Sequence, residues 1–426
     1  MTGPPPPRSG ARAATGPALR RLRAPGGPLD HEARLYLAAH PFAYPLVRLL
    51  ARLGPVVRVP GLGVVVNDAA VARAVLTDER FRKDGPGSPG DLWTPVLGPS
   101  VLLNMEGPGH LALRRKLMPL FTPGYVADLV AEVLRGPLAE LDARLARGET
   151  VDLVDVMRVM AGAVICRTIG LGSGSGGVSE ERARELFAEG ERIVSMVSLR
   201  SRRLSDRQVA LARRVLDRIG DIAQAAYEAG DESTIMGRMR GLGLSAAEAR
   251  GAAGAFFLTG TETVATFVPR LVALVDDHGT AVDDLDRVID EAMRVTTPTP
   301  VMLRSVAAPV LIGGNGELRG LPATGGKGGA GRTRGVAVRP GDRVLIATHN
   351  CARAHGPFDP SRPHPPELRR LWFGAGPHFC IGYPLALAEI RAVASVLFAR
   401  RVRVVRRRAA RRVLIPTYEH LWITAS

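Results

Sequence analysis

The feature that most constrains this chain is a cysteine set among glycines, Phe373-Gly374-Ala375-Gly376-Pro377-His378-Phe379-Cys380-Ile381-Gly382. It runs straight into the amphipathic stretch Tyr383–Phe398, which is spaced for a helix. Glycine allows close backbone approach and positive φ, so several N–H groups can be aimed at one sulfur. Those donors and the dipole of the following helix favour a thiolate. Cys166 and Cys351 are distant in sequence and no CxxC occurs, which speaks against a disulfide framework and a zinc site. A lone soft thiolate suits axial ligation of a haem iron better than zinc. The plainer alternative is a buried cysteine in a glycine-rich turn.

A ligand of that kind needs a large frame. The 426 residues are 46% hydrophobic and 23% charged, enough for a sizeable core and unlike a disordered chain. Residues 1–30, rich in Pro, Gly and Arg, read as a disordered leader and lack the apolar run of a signal peptide. The longest charge-free apolar stretches, such as Gly251–Thr261, are too short to cross a bilayer. A cytoplasmic monomer without a membrane partner is expected.

The net charge of +16 raises the question of nucleic acid. Thirteen of the surplus charges sit in two short segments, five arginines in 1–29 and eight in 400–412. No stacking aromatics are interleaved with them and no DNA-reading motif occurs, so a solvated basic patch is the simpler reading and no nucleic-acid partner is expected.

Along the chain, Val56–Asn67 reads as a hairpin and 84–100 as a Gly/Pro-rich loop. Helical spacing follows at Leu111–Phe121, Val126–Leu145, Val151–Ile169, Glu180–Val197 and Asp206–Tyr227. Ala246–Val275, apolar on nearly every side, predicts a buried central helix, and Val282–Val295 a further one. Short strands are expected over 301–348, interrupted by a Gly-rich insertion at 323–335 that reads as mobile. The fold class is mainly α with a minor β portion, and 31–426 reads as one domain.

Three further constellations carry possible chemistry. Glu291 and Arg294 share a helix face, a pairing common on solvated helices. Thr259-Gly260-Thr261-Glu262-Thr263 puts a carboxylate in an otherwise apolar helix, where a buried charge is costly unless used or satisfied. Threonine hydroxyls bonding back to carbonyls, kinking the helix, are the alternative account. His110 and Arg114, four apart, share a face, and Arg304 opens a strand after Thr299-Pro300; each also reads as an ordinary surface residue.

In order and content these segments resemble the cytochrome P450 superfamily over about residues 40–425. The Cys380 segment fills every fixed position of that family's haem signature: Phe, two residues, Gly, one residue, His or Arg, one residue, Cys, one residue, Gly. The resemblance implies haem b, with Cys380 as the iron's thiolate ligand, Phe373 shielding the sulfur and Gly382 closing the motif. His378, His110, Arg114 and Arg304 would contact the haem propionates, and PLFTP (119–123) matches the family's usual helix ending. Thr263 would hydrogen-bond bound O2, Glu262 would join the proton relay, Gly260 would open the helix for O2, and Thr259 replaces the usual alanine. Glu291 and Arg294 would form a buried structural triad completed by Arg362, with Arg353 as the alternative because the stretch 350–362 is shorter than the family's.

The implied activity is a haem-thiolate monooxygenase of bacterial secondary metabolism that hydroxylates or otherwise oxidises a hydrophobic small molecule. A peroxide-driven or radical-coupling enzyme is the rival within the same chemistry, and a haem-thiolate ligand sensor the non-enzymatic one. With no flavin- or nucleotide-binding segment in the sequence, electrons would come from a ferredoxin and its NAD(P)H-dependent reductase, docking at Arg115 and Lys116. By family position, the substrate pocket would include Trp93, Leu102, Val194, Leu199, Phe256, Val301, Met302, Thr417 and Tyr418. Arg200, Arg202 and Arg203 near a lid could meet an anionic or carrier-bound substrate, or be solvated loop charges.

Overall fold

Apolar spacing of three and four residues becomes helix almost wherever it runs. The computed structural model describes residues 31–172, 178–197, 201, 203–320 and 335–426. The leader at 1–30, nearly all of the 323–335 insertion, Leu199, Arg200 and Arg202 lie outside the described residues. The described chain opens with two short helices the periodicity did not suggest, α1 (His31–Ala39) and α2 (Ala43–Leu53). The hairpin β1 (Val56–Val59) and β2 (Gly63–Val66) forms as expected. Helix α3 (Ala69–Thr77) starts at Asp68, whose carboxylate accepts the N–H groups of Ala70 and Val71. After β3 (Phe81–Arg82) the supposed loop at 84–100 is partly a helix, α4 (Pro89–Leu97). Pro89 sits in its first turn, where a missing N–H costs nothing, so proline there starts a helix instead of breaking one.

The helical middle comprises α5 (Gly107–Leu117), α6 (Pro123–Ala146), α7 (Leu153–Thr168), α8 (Glu180–Val194), α9 (Asp206–Ala229), α10 (Ile235–Gly241), α11 (Ala246–His278) and α12 (Leu285–Thr296). Between α6 and α7 lies a two-residue strand, β4 (Val151–Asp152). Helix α11 begins on a capping box, Ser245 with Glu248, and ends at Gly279 with φ 56°. It is long and apolar enough to cross a membrane, but most of its apolar stretch is buried among the other helices.

Short strands follow: β5 (Met302–Val306), β6 (Val310–Gly313), β7 (Leu318–Gly320), β8 (Gly335–Val338) and β9 (Arg343–Ile346). Helix α13 (Thr348–Arg353) leads into the cysteine loop, and α14 (Tyr383–Ala399) leaves it. The basic segment then forms β10 (Arg403–Ala409), paired antiparallel with β11 (Tyr418–Thr424). The three sheets run β1-β2-β9-β5-β3, β10-β11-β4 and β7-β6-β8.

Two hydrophobic cores meet along α11. Its C-terminal half, from Val264 to Leu274, packs with α7, α12, α14 and the sheets. Its N-terminal half, from Ala249 to Leu258, packs with α5, α6, α9 and α10. The cavity described next opens at this junction and is walled by members of both cores, Leu113, Ile165 and Leu258 from one and Val264, Met293 and Ile390 from the other.

Candidate active site

A cavity of about 570 Å³ lies between the middle of α11 and the Cys380 loop. The loop's shape is set by glycine at two positions, Gly374 (φ 83°) and Gly376 (φ 64°), both in the left-handed region. A Cβ on Gly376 would also press on Leu76 O and Thr77 Cα at 3.1 Å. The Cys380 N–H donates to Phe373 O at 2.9 Å, folding the loop back on itself. Phe373 lines the cavity and meets the Tyr383 ring edge-on at 4.8 Å.

Cys380 is accessible and lines the cavity, whereas Cys166 and Cys351 are buried. Burial pushes its thiol above the ordinary range, while backbone hydrogen bonds from Gly382 and Tyr383 and the charges of Lys83 and Arg114 pull it down. The backbone donors expected from the sequence are therefore present, but desolvation outweighs them. A coordinated metal ion would reverse that balance, since a ligating thiol is deprotonated outright.

Around one edge of the cavity gather Lys83, His110, Arg114, Arg304 and His378. The rings of His110 and His378 lie 4.2 Å apart. Burial, with the charges of His378 and Lys83, pushes His110 down to about 4, so it is neutral at pH 7. Arg304 is held down to about 10 by burial, and its Nε is buried without a partner. Glu106 approaches His378 at 2.8 Å and accepts the Lys83 N–H at 2.5 Å; despite burial, these contacts keep its carboxyl below the usual range. Lys83, whose side chain burial and Arg304 push down to about 7, was not singled out from the sequence. Its signal was there, as one of only three lysines in an arginine-rich chain. An orphaned guanidinium nitrogen, three basic side chains beside two histidines, and one accessible sulfur fit a dianionic macrocycle whose iron takes a thiolate ligand. Among the described residues no cluster of His, Cys, Asp and Glu could hold a metal ion by itself.

On the facing wall, Thr259, Gly260, Glu262 and Thr263 all line the cavity. Gly260 has a packing reason: a Cβ there would meet Ile165 Cδ1 of α7 at 2.9 Å. The threonine hydroxyls do bond back along α11, Thr259 to Ala255 O at 2.8 Å, Thr266 to Glu262 O at 2.7 Å and Thr263 to Thr259 O at 3.4 Å. The Thr263 bond is the longest of these and the most easily exchanged for another partner. Glu262 is 7% exposed. Burial, then the charge of Glu191, raises its carboxyl to about 8 against the pull of Arg158. Glu191 and Arg158 form a half-buried pair at 3.1 Å, close enough for both charges to act on Glu262.

Other sequence expectations fall in different places. Trp93, Leu102, Val194, Phe256, Val301 and Met302 line the cavity, but Thr417 and Tyr418 do not. Pairing of Tyr418 with Ala409 turns its ring into the core, and Leu414 and Ile415 face the cavity in their stead. Glu291 and Arg294 pair at 2.6 Å, fully buried. Their third partner is His364, whose Nε2 lies 2.8 Å from Glu291 and Nδ1 3.0 Å from Asp290. Arg362 turns away to Asp359 at 3.2 Å and the carbonyls of His355 and Pro357. In a connection this short the loop carries Arg362 past Glu291 and brings His364 to it. Glu389 of α14, also unflagged, lines the cavity, and burial lifts its carboxyl to about 8. Lys116 is tied to Glu248 at 3.1 Å, leaving Arg115 as the exposed cation of α5.

No family model matches the chain. The cytochrome P-450 monooxygenase DoxA of Streptomyces sp. (strain C5) is 27% identical over 412 residues, covering 85% of this chain and 90% of that protein. The erythromycin C-12 hydroxylase of Saccharopolyspora erythraea is 26% identical, covering 71% of this chain and 73% of its own. Among solved structures, P450BioI in complex with an acyl carrier protein superposes with a TM-score of 0.71 at 18% identity, over 92% of this chain and all of that one. Epothilone D-bound P450epoK gives a TM-score of 0.70 at 17% identity, over 95% and 98%.

Proposed function

We propose that this chain is a haem b monooxygenase of the cytochrome P450 superfamily, acting in secondary metabolism as its relatives' names support, and that it hydroxylates a bulky hydrophobic small molecule with electrons from an external ferredoxin and its NAD(P)H-dependent reductase. The observation that carries the reading is the placement of Cys380 across an apolar cavity from Glu262 and Thr263. Bound haem supplies the reductive activation of O2 that no side chain can perform.

The chain's own residues do the rest. Cys380 would hold the iron through its sulfur as an electron-donating thiolate. Arg114, Arg304, His110 and His378, gathered at one edge of the cavity, would hold the two propionates. Thr263, able to leave its long bond to Thr259 O, orients a small polar ligand by its hydroxyl. Glu262, protonated at neutral pH, holds a proton beside that hydroxyl, and Arg158 with Glu191 renews it from solvent. Trp93, Phe256, Leu102, Val301, Leu414 and Ile415 exclude water and orient the substrate by shape. A macrolide-sized product scaffold is supported by the erythromycin and mycaminosyltylactone substrates that the relatives' names state. On the outer face of α5 and the short 3-10 turn that follows it, exposed Leu111, Arg115 and Met118 at spacings of four and three form an apolar-basic stripe suited to an acidic electron donor.

The test is the reduced-plus-CO difference spectrum of the wild type beside Cys380→Ala, followed by substrate-dependent NADPH consumption with a surrogate ferredoxin. A thiolate-type band that disappears in the variant, with consumption that responds to substrate, is the expected result. A histidine-type band would sink the ligand assignment, and a correct band without any turnover would favour a sensor.

A further inference from the structure

The exposed large apolar side chains are not scattered. Among the described residues Leu37, Phe42, Leu46, Leu49 and Leu53 all stand exposed on α1 and α2 or the turn between them, Phe42 at 84% and Leu53 at 64%. Positions 42, 46, 49 and 53, spaced four, three and four apart, draw one stripe along α2. Single exposed leucines need no explanation, but a contiguous stripe does. Helix α2 cannot roll to hide it. Its other face, through Val47 and Leu50, packs on Val57, Val65 and Leu345, and its carbonyls are pinned from behind. Asn67 Nδ2 donates to Leu50 O at 3.0 Å and Gly54 O at 2.9 Å, and Asn350 Nδ2 to Val47 O at 2.8 Å.

The chain segment that carries the stripe is basic. No acid occurs from Ala33 to Asn67. Arg34 and Arg52 are exposed, and Arg48 is half-buried over the Tyr44 ring. The fold adds two more cations, because the Arg412 N–H donates to Ala38 O at 3.3 Å and sets exposed Arg411 and Arg412 beside the end of α1. Among the described residues none of these five arginines has an ion-pair partner, whereas Arg400, Arg407 and Arg408 of the same basic segment are paired with Asp142, Asp277 and Glu419. In sequence, residues 1–29 bring five further arginines and no acid, with Asp30 the one acid between them and α1.

We propose that this α1–α2 face docks on an anionic lipid surface, with α2 lying in the interface plane, its apolar stripe in the acyl boundary and the arginines against lipid phosphates. An apolar stripe of Phe and Leu beside an arginine-bearing flank is the pattern of an in-plane interfacial helix. The stripe offers methyl, ring and proline surface, with Pro41 and Pro45 also exposed, and no side-chain hydrogen-bonding group of the sort that orients a protein partner. The same helix backs onto the cavity wall, since Val47 and Leu50 pack in one cluster with Val301 and Leu303, which line the cavity. A membrane-dissolved apolar substrate is thereby concentrated on the side of the molecule nearest its destination. Peripheral attachment of this kind departs from the expectation of no membrane partner without requiring a spanning helix.

The test is sedimentation of the full-length holoprotein with phosphatidylcholine vesicles and with vesicles containing about one third phosphatidylglycerol. The variants are Phe42→Ser/Leu46→Ser/Leu49→Ser, Arg48→Glu/Arg52→Glu, and a chain lacking residues 1–29. An unaltered CO difference spectrum confirms that each variant is folded. The expected result is binding to the anionic vesicles only, weakened about tenfold or more by either face variant, reduced by high salt, and retained in part without residues 1–29. Three results would overturn the proposal. One is no binding to anionic vesicles. A second is binding that survives both face variants and vanishes with residues 1–29. The third is a wild-type dimer in analytical ultracentrifugation that the apolar variant converts to monomer, which would assign the stripe to a second copy.

Discussion

His364 provides the sharpest test of the site's scaffold, because the structure and the sequence motif name different residues for one role. The Glu291–Arg294 pair is fully buried, and removing a partner from such a group strands a charge. His364 lies within 3.0 Å of Asp290 and 2.8 Å of Glu291. Burial alone would lower its pKa, but the hydrogen bonds and charges of those two carboxylates prevail and raise it to about 9. A histidine raised above its ordinary 6.5 contributes stability that is complete below pH 6.5 and is lost as pH climbs through 9. The full shift corresponds to about 3 kcal/mol, which falls to about 2 kcal/mol once screening on the Asp290 side is allowed for. That screening follows from the 43% exposure of Asp290. With an unfolding entropy of about 2 cal/mol/K per residue, a chain this long loses about 2 °C of midpoint. The assay is a thermal melt at one scan rate, followed by loss of the Soret band, for wild type and His364→Phe between pH 6 and 9.5. Wild type should lose its advantage over the variant across pH 6.5 to 9. Arg362→Ala, which breaks a half-exposed pair and two hydrogen bonds to loop carbonyls, should lose less than His364→Phe at pH 6 and show no such pH dependence. Equal pH slopes for wild type and His364→Phe, or a larger loss in Arg362→Ala, would refute the assignment.

Glu262→Gln should lower turnover about a hundredfold and abolish the alkaline limb centred near pH 8, while substrate-induced spectral shifts persist; a parallel rise in substrate Kd would show a packing role instead. Lys83→Met should release haem to apomyoglobin several-fold faster than wild type and Lys83→Arg should not, since the side chain faces the cavity among Arg114, Arg304 and the histidines. Glu32→Gln leaves the fully buried Arg270 guanidinium without its counter-charge, and should cost about 3–5 kcal/mol by melt, whereas Arg391→Ala at a pair about half exposed should cost under about 1 kcal/mol.

What the sequence disclosed of this molecule follows from how local each decision is. The Cys380 loop and the Thr259–Thr263 turn were legible because their chemistry is written in consecutive residues, glycines that need positive φ and a carboxylate placed where an apolar helix should have none. The long helices were legible because each buries one continuous periodic face. Partner choice across the fold was not. Whether Arg362 or His364 reaches Glu291 depends on how the chain turns between the end of α13 and His364, and nothing in its composition states that path. Tyr418 and Leu414 exchanged places for a similar reason, since a strand's pairing register decides which side chains face the cavity. Lys83 and Glu106 show the same limit for charge. With both histidines neutral, Arg114, Arg304 and a partly protonated Lys83 outweigh Glu106 and leave the edge of the cavity net positive, the complement of propionates. That balance is a property of three segments converging in space, the end of β3, α5 and β5, and no one of them carries it alone. The apolar stripe on α2 is its surface counterpart. Its residues are adjacent in sequence, but the arginines that give it a partner come also from the far end of the chain, brought there by one backbone hydrogen bond between Arg412 and Ala38.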